Sequence, residues 1–180
     1  MFGIDLLLTF QYALIGALLS EIDVIIDENK RASENAAILL SIICSLLMAW
    51  LIIADANSAI LFGAILFGVF ISGKVDALPF ILGLLISAGA LLQRAIASDY
   101  LSYLPIVLAL AFCGVVDEYG NDRLGKIKSS LMNWFFRRRI TMKLGVFSVA
   151  YLGVIPFSHL VAFLAFDIAY EVNSARAGNI

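Results

Sequence analysis

Long apolar runs alternate with short polar segments along most of the chain. A run of about 20 apolar residues can cross the ~30 Å hydrocarbon core of a bilayer as a helix. The pattern predicts six such spans, at about Ile4–Ile22, Ala36–Ala54, Ser58–Ser72, Ala77–Leu92, Leu101–Val116 and Leu144–Tyr170. Pro156 is predicted to kink the long sixth span, because proline removes a backbone donor. Five spans, or a broken last span, are the alternatives.

The composition agrees with a membrane protein. Of the 180 residues, 62% are hydrophobic and only 14% are charged, whereas about a quarter of the residues of a soluble domain are charged. The first run has no basic segment before it and no small-residue cleavage site after it, so we expect it to be a retained span. The sequence predicts an all-α polytopic protein with one integral membrane domain over residues 1–180.

The distribution of Lys and Arg predicts the orientation of the spans. Ten of the twelve basic residues lie in loops that follow odd-numbered spans, and seven of these lie in the long loop at about 117–143. Only Arg94 and Arg176 lie on the other side. Basic loops are typically cytoplasmic. We therefore expect a multi-pass plasma-membrane protein with both termini outside. Nucleic-acid binding is not expected, because the basic residues flank spans and no recognition module is present.

Several acidic residues converge at the predicted cytoplasmic face. They are Glu21, Asp23 and Asp27 at the end of span one, Asp76 at the start of span four, and Asp117, Glu118 and Asp122 after span five. An ionisable group at the edge of a span is costly unless it is solvated, paired or functional. The structural alternative is that each acid simply ends an apolar helix at the membrane surface.

Three kinds of chemistry could use these acids. Two carboxylates that share a proton can activate water for peptide hydrolysis. Asp117, Glu118 and Asp122 could instead hold Mg²⁺ against a lipid phosphate. The third alternative is a small transporter with His159 and Asp167 on its path. For these two residues, interhelical hydrogen bonding or termination of the span is favoured over a proton relay.

Other common catalytic signatures are absent from the sequence. Cys44 and Cys113 lie inside apolar runs, where we expect buried structural thiols. The chain has no nucleophile elbow, no phosphate-binding loop and no Cys/His zinc pattern. The two-carboxylate chemistry needs no metal or other cofactor, because the carboxylate pair activates water.

The surroundings of Asp76 favour the two-carboxylate chemistry. The stretch Gly73-Lys74-Val75-Asp76 directly precedes an apolar run. Glycine permits a backbone bend at that point. The positive end of the following helix favours an ionised carboxylate, whereas apolar surroundings oppose it. The sequence thus predicts a carboxyl group whose pKa the surroundings can adjust for general acid–base catalysis.

These acidic segments resemble those of archaeal prepilin and preflagellin peptidases, type IV prepilin peptidase-like members of the GxGD group of membrane aspartyl proteases (peptidase A24-like). ALLSEIDVIIDENKR (17–31) resembles the first catalytic site of that family, and GKVDALPFILG (73–83) resembles the second. The resemblance implies Asp23 and Asp76 as the catalytic pair, with Gly73, Lys74 and Val75 as the supporting motif. The two aspartates are 53 positions apart, which leaves room for two spans. The Ile-Pro-Asn-like turn of the family does not follow Asp23, so Glu21 and Asp27 remain alternative acids.

The resemblance also implies a function. It predicts an aspartic-type endopeptidase that removes the leader from pilin-like or archaellin-like precursors at the cytoplasmic membrane face. Such a precursor carries a short basic leader followed by a hydrophobic helix. The expected partners are therefore these precursors and the lipid bilayer.

Overall fold

The computed structural model describes residues 5–27, 31–73, 75–124, 134–136 and 138–176, and the regular structure in these ranges is helical. Its helices are α1 (Leu6–Asp27), α2 (Arg31–Ala54), α3 (Ala56–Ile71), α4 (Leu78–Ala97), a 3-10 helix (Asp99–Tyr103), α5 (Leu104–Leu124), α6 (Ile140–Tyr151) and α7 (Phe157–Arg176). The expected all-α fold is confirmed.

Four of the described helical segments are long and apolar enough to cross a membrane. They are Leu6–Ile26, Glu34–Ala54, Leu78–Ala97 and Asp99–Asn121, while α3 and α6 are shorter apolar helices. Large apolar side chains such as Trp50, Leu85 and Phe112 are exposed on the outside of the bundle. An apolar exterior of this kind suits contact with lipid, in agreement with the expected membrane protein.

The predicted sixth span is two helices rather than one. α6 ends at Tyr151 and α7 begins at Phe157, with turn residues between them. Pro156 therefore precedes a helix instead of kinking one, and its carbonyl accepts a hydrogen bond from the backbone N–H of His159. A proline fits this position because the first helical N–H groups have no intrahelical partner. The alternative of a broken last span is the one that the structure adopts.

The first and last helices pack against each other in the same direction. Tyr12, near the start of α1, packs on Phe62 of α3 with ring centroids 4.6 Å apart, and Phe62 meets Phe166 of α7 at 6.3 Å. Further along, a Cβ at Gly16 would lie 2.1 Å from the carbonyl oxygen of Phe166. The absence of a side chain at Gly16 thus lets the two backbones approach closely.

The helix directions define two ends of the bundle. At the first, here called the acidic end, α1, α5 and α7 finish and α4 and α6 begin. At the opposite end, α2 finishes and α3 and α7 begin. The acidic end gathers chain segments that are far apart in sequence, and the main cavity lies there.

Candidate functional site

A cavity of about 1150 Å³ lies at the acidic end. Side chains from α1 to α7 line it. Residues between these helices also belong to the lining: Ser72, Gly73, Val75, Asp76, Trp134, Phe136, Arg138 and Arg139. Its lining combines apolar residues, including Cys44, Met48, Phe80, Phe163 and Phe166, with a group of charged residues. Ligand sites commonly combine an apolar wall with a few convergent polar groups.

Among the residues that the structure describes, six carboxyl groups belong to the lining of this cavity. They are Asp23, Asp76, Asp117, Glu118, Asp167 and Glu171. Asp23 and Asp76 come from the end of α1 and from the segment before α4. Asp23 is half-buried and Asp76 is exposed. The structure therefore brings both predicted aspartates to one cavity.

Asp23 has a hydrogen-bond donor that the sequence did not indicate. The hydroxyl group of Tyr170, on α7, donates to Oδ2 of Asp23. The two residues are neighbours because α1 and α7 run side by side in the same direction. A donor of this kind stabilises the ionised form of a carboxyl group.

Arg139 lies on the other side of Tyr170. Its guanidinium group lies 4.7 Å from the centroid of the Tyr170 ring. Burial disfavours the charged form of Arg139, but the nearby Tyr170, Glu118 and Asp167 outweigh that effect, so the pKa of Arg139 lies above its ordinary value. Arg139 also has a φ of 47°, in the left-handed region that residues with a side chain rarely adopt. Arg139 thus combines a strained backbone with a side chain that lines the cavity.

Asp117 has a structural role at the start of α6. Its two carboxylate oxygens accept hydrogen bonds from the backbone N–H groups of Thr141 (3.0 Å) and Met142 (2.7 Å). A carboxylate from α5 thus caps the beginning of α6, where free N–H groups and the helix dipole favour a negative charge. Asp117 is only 1% exposed. This cap fixes the position of Arg139, which directly precedes α6.

Lys143 connects α6 to the end of α7. Its Nζ atom lies 2.6 Å from Oδ2 of Asp167 and 3.0 Å from Oε1 of Glu171, and it donates to the carbonyl of Arg138 at 2.7 Å. These pairs partly neutralise two of the six acids that line the cavity. They also hold α7 in the register that presents Tyr170 to Asp23.

The supporting motif lies in the segment between α3 and α4. Gly73 and Val75 line the cavity, and Gly73 has a φ of 68°, a conformation that glycine adopts easily. Lys74 lies outside the described residues. Of the alternative acids, Glu21 is exposed and does not line the cavity, and the side chain of Asp27 lies outside the described residues.

His159 lies in the first turn of α7 and Asp167 lies near its middle. Nε2 of His159 lies 2.7 Å from Oδ2 of Asp55, the residue that caps α3. Asp167 pairs with Lys143 of α6. Both residues therefore make interhelical contacts, as the favoured interpretation of the sequence predicted.

The Mg²⁺ alternative gains no geometric support from the described residues. Within those ranges, no three side chains of His, Cys, Asp and Glu are arranged to hold a metal ion. Both oxygens of Asp117 accept backbone hydrogen bonds, and the side chain of Asp122 lies outside the described residues.

Sequence reasoning missed Tyr170, Arg139 and Lys143. Tyr170 lies at the end of the last apolar run, where aromatic residues are common at a membrane interface. Arg139 and Lys143 belong to the basic loop, which the sequence connected only with orientation. Comparisons of the chain with protein-family models, with curated proteins and with solved structures found no match.

Proposed function

We propose that the protein is a membrane-embedded aspartyl endopeptidase that cleaves pilin-like or archaellin-like precursors. The observation that carries this proposal is that Asp23 and Asp76, 53 positions apart, line the same cavity. The resemblance of both segments to the catalytic segments of prepilin peptidases supports the same pair. The apolar part of the lining suits the hydrophobic helix of a precursor. The basic loops of the chain support a cytoplasmic position for the cavity.

The reaction is hydrolysis of a peptide bond by a pair of carboxyl groups that share one proton. The ionised carboxylate takes a proton from water as the water oxygen attacks the scissile carbonyl carbon. The protonated partner donates a hydrogen bond to the carbonyl oxygen and stabilises its developing negative charge. The tetrahedral intermediate then breaks its C–N bond, and the leaving nitrogen receives a proton from the pair. The products are a leader with a free carboxyl end and a mature protein with a free amino end.

The test is cleavage of a candidate precursor by detergent-purified protein. We expect Asp23→Asn and Asp76→Asn each to lower the initial rate by about 10²- to 10⁴-fold, because neither residue alone supplies both base and acid. Asp99→Asn serves as the matched control, since Asp99 is an exposed acid in the 3-10 helix and does not line the cavity. Full cleavage by both cavity variants would overturn the assignment of the pair.

The same assay separates the peptidase from a lipid-phosphate enzyme. EDTA should leave peptide cleavage unchanged, because water activation depends on the carboxyl pair. Release of phosphate from a lipid substrate that stops on addition of EDTA, without any peptide cleavage, would favour the Mg²⁺ alternative.

A further inference from the structure

The contacts that connect Arg139, Tyr170 and Asp23 are not used in the two-aspartate mechanism proposed above. Tyr170 donates a hydrogen bond to Asp23, and Arg139 lies over the Tyr170 ring. All three residues line the cavity. No comparable donor contact to the carboxyl group of Asp76 is present among the hydrogen bonds of the described residues. The two aspartates therefore have different surroundings.

The geometry points to Tyr170 as a positioning residue that makes Asp23 the general base of the pair, with Asp76 holding the shared proton. This inference rests on the proposed peptidase function. A phenol that donates to one carboxylate stabilises the ionised form of that group over its partner. It also fixes the plane of the Asp23 carboxylate within the cavity.

Arg139 reinforces this asymmetry. A guanidinium group over the Tyr170 ring holds the ring in place through a cation–π contact. Its positive charge also favours the ionised form of a carboxylate beyond the ring. The position of Arg139 is set by Asp117, which caps the helix that Arg139 precedes. The Asp117 cap therefore contributes to the proposed site by positioning Arg139, and it takes no direct part in the reaction.

Other charged groups around Tyr170 also influence the pH dependence of the site. From the elements that surround the cavity they are Asp167 and Glu171 on α7, Lys143 on α6, Arg138 and Arg139 before α6, Asp117 and Glu118 on α5, and Asp76 before α4. A single substitution at Tyr170 leaves all of them in place. The comparison of wild type with Tyr170→Phe therefore reports on the one hydroxyl group.

The first experiment measures the initial cleavage rate against pH for wild type and Tyr170→Phe. Loss of the donor should lower the maximal rate by about 10- to 100-fold, the range expected for a hydrogen bond to a charged group. It should also move the acidic limb of the profile to higher pH by about one unit, because the ionised pair is less favoured. Arg139→Gln should move the same limb in the same direction by a smaller amount. An acidic limb that stays in place in both variants would overturn the inference.

Tyr100→Phe is the matched control. The Tyr100 hydroxyl group also makes a buried hydrogen bond, to the carbonyl of Ala59, but it lies away from the cavity. Its loss should lower thermal stability without moving the acidic limb. A purely structural role for Tyr170 would give the same result as Tyr100→Phe, and that result would overturn the inference.

A second measurement does not depend on cleavage. The thermal unfolding midpoint in detergent is followed from pH 3 to pH 8 for both tyrosine variants. Stabilisation of an ionised carboxylate is present above the ordinary pKa of aspartate, about 3.9, and is lost as the pH falls. The decrease in the unfolding midpoint caused by Tyr170→Phe should therefore grow towards neutral pH. The decrease caused by Tyr100→Phe should be constant, because the carbonyl of Ala59 that Tyr100 contacts does not titrate.

The outcomes separate the two proposals. If Asp23→Asn and Asp76→Asn both retain full cleavage while the loss of stability in Tyr170→Phe depends on pH, the assignment of the catalytic pair fails and the contact between Tyr170 and an ionised Asp23 stands. If Asp23→Asn is inactive while Tyr170→Phe behaves like Tyr100→Phe, the function stands and the positioning role fails.

Discussion

At the scale of the residue, the sequence identified Asp23 and Asp76 among the acids of the cavity, but not the groups that contact Asp23. Asp23 and Asp76 could be found because each interrupts an apolar pattern at the edge of a span. Tyr170 lies 147 positions from Asp23, and no local pattern connects the two residues. A contact of this kind depends on how helices pack, which a hydropathy pattern does not specify.

The pair of Asp55 and His159 gives a prediction about pH and stability at this scale. Burial of Asp55 opposes its ionisation, but hydrogen bonds from His159 and Ser58 outweigh that effect, so the pKa of Asp55 lies below its ordinary value. A carboxyl group whose pKa falls on folding stabilises the protein above its ordinary pKa, about 3.9, and this contribution is lost as the pH falls. We expect Asp55→Asn to lower the free energy of unfolding by about 1–3 kcal/mol at pH 7 and by less at pH 3.

Asparagine is a suitable replacement because it caps a helix as well as aspartate does, so the change removes the charge and leaves the cap of α3. Asp5→Asn provides the control, since Asp5 caps α1 through the N–H of Leu8 and is exposed. The measurement is the unfolding midpoint in detergent against pH. A penalty for Asp55→Asn that is the same at both pH values would contradict this account.

At the scale of the element, the sequence predicted the helices well except for the last one. A long apolar run is compatible with one kinked helix or with two helices and a turn, because hydropathy reports only burial or lipid contact. The positions of the three prolines indicate more specifically where helices begin. Pro79 and Pro105 are the second residues of α4 and α5, and Pro156 directly precedes α7. Each proline marks the beginning of a helix, where its missing N–H costs little.

The close approach of α1 and α7 gives a prediction at this scale. Gly16→Ala would place a Cβ against the backbone carbonyl of Phe166, which cannot move as a flexible side chain can. We expect a loss of about 1–3 kcal/mol of stability from overpacking, and a lower cleavage rate because α7 carries Tyr170 away from Asp23. The unfolding midpoint and the cleavage rate measure the two effects.

Gly89→Ala is the matched control for this change. A Cβ at Gly89 on α4 meets nothing within 4 Å, so alanine should be neutral or should stabilise the helix by roughly 0.5–1 kcal/mol through its higher helix propensity. Equal effects of the two substitutions would contradict the packing argument.

At the scale of the whole molecule, the broken sixth span leads to a different prediction for the side of the membrane on which the chain ends. α1 and α7 run in the same direction, so the start of α1 and the end of α7 lie at opposite ends of the bundle. Arg176, the last residue of α7, then joins the other basic residues at the acidic end. Arg94 is left at the opposite end, where it donates a 2.7 Å hydrogen bond to the carbonyl of Ile53. Among the described basic residues, Arg94 therefore lies apart from Arg138, Arg139 and Lys143, which lie at the acidic end.

This geometry predicts that the chain crosses the membrane an odd number of times. A peptide tag at the start of the chain should be cleaved by protease added outside intact cells. A tag at the end should be cleaved only in inverted vesicles, because the distribution of Lys and Arg predicts a cytoplasmic position for the acidic end. A tag inserted within 125–133, in the basic loop, is the internal reference and should behave like the tag at the end. If both terminal tags were cleaved from the same side, α6 and α7 would not both cross the bilayer. The pairs of Lys143 with Asp167 and of Tyr170 with Asp23 would then need another explanation in the membrane, since each joins the second half of α7 to the acidic end.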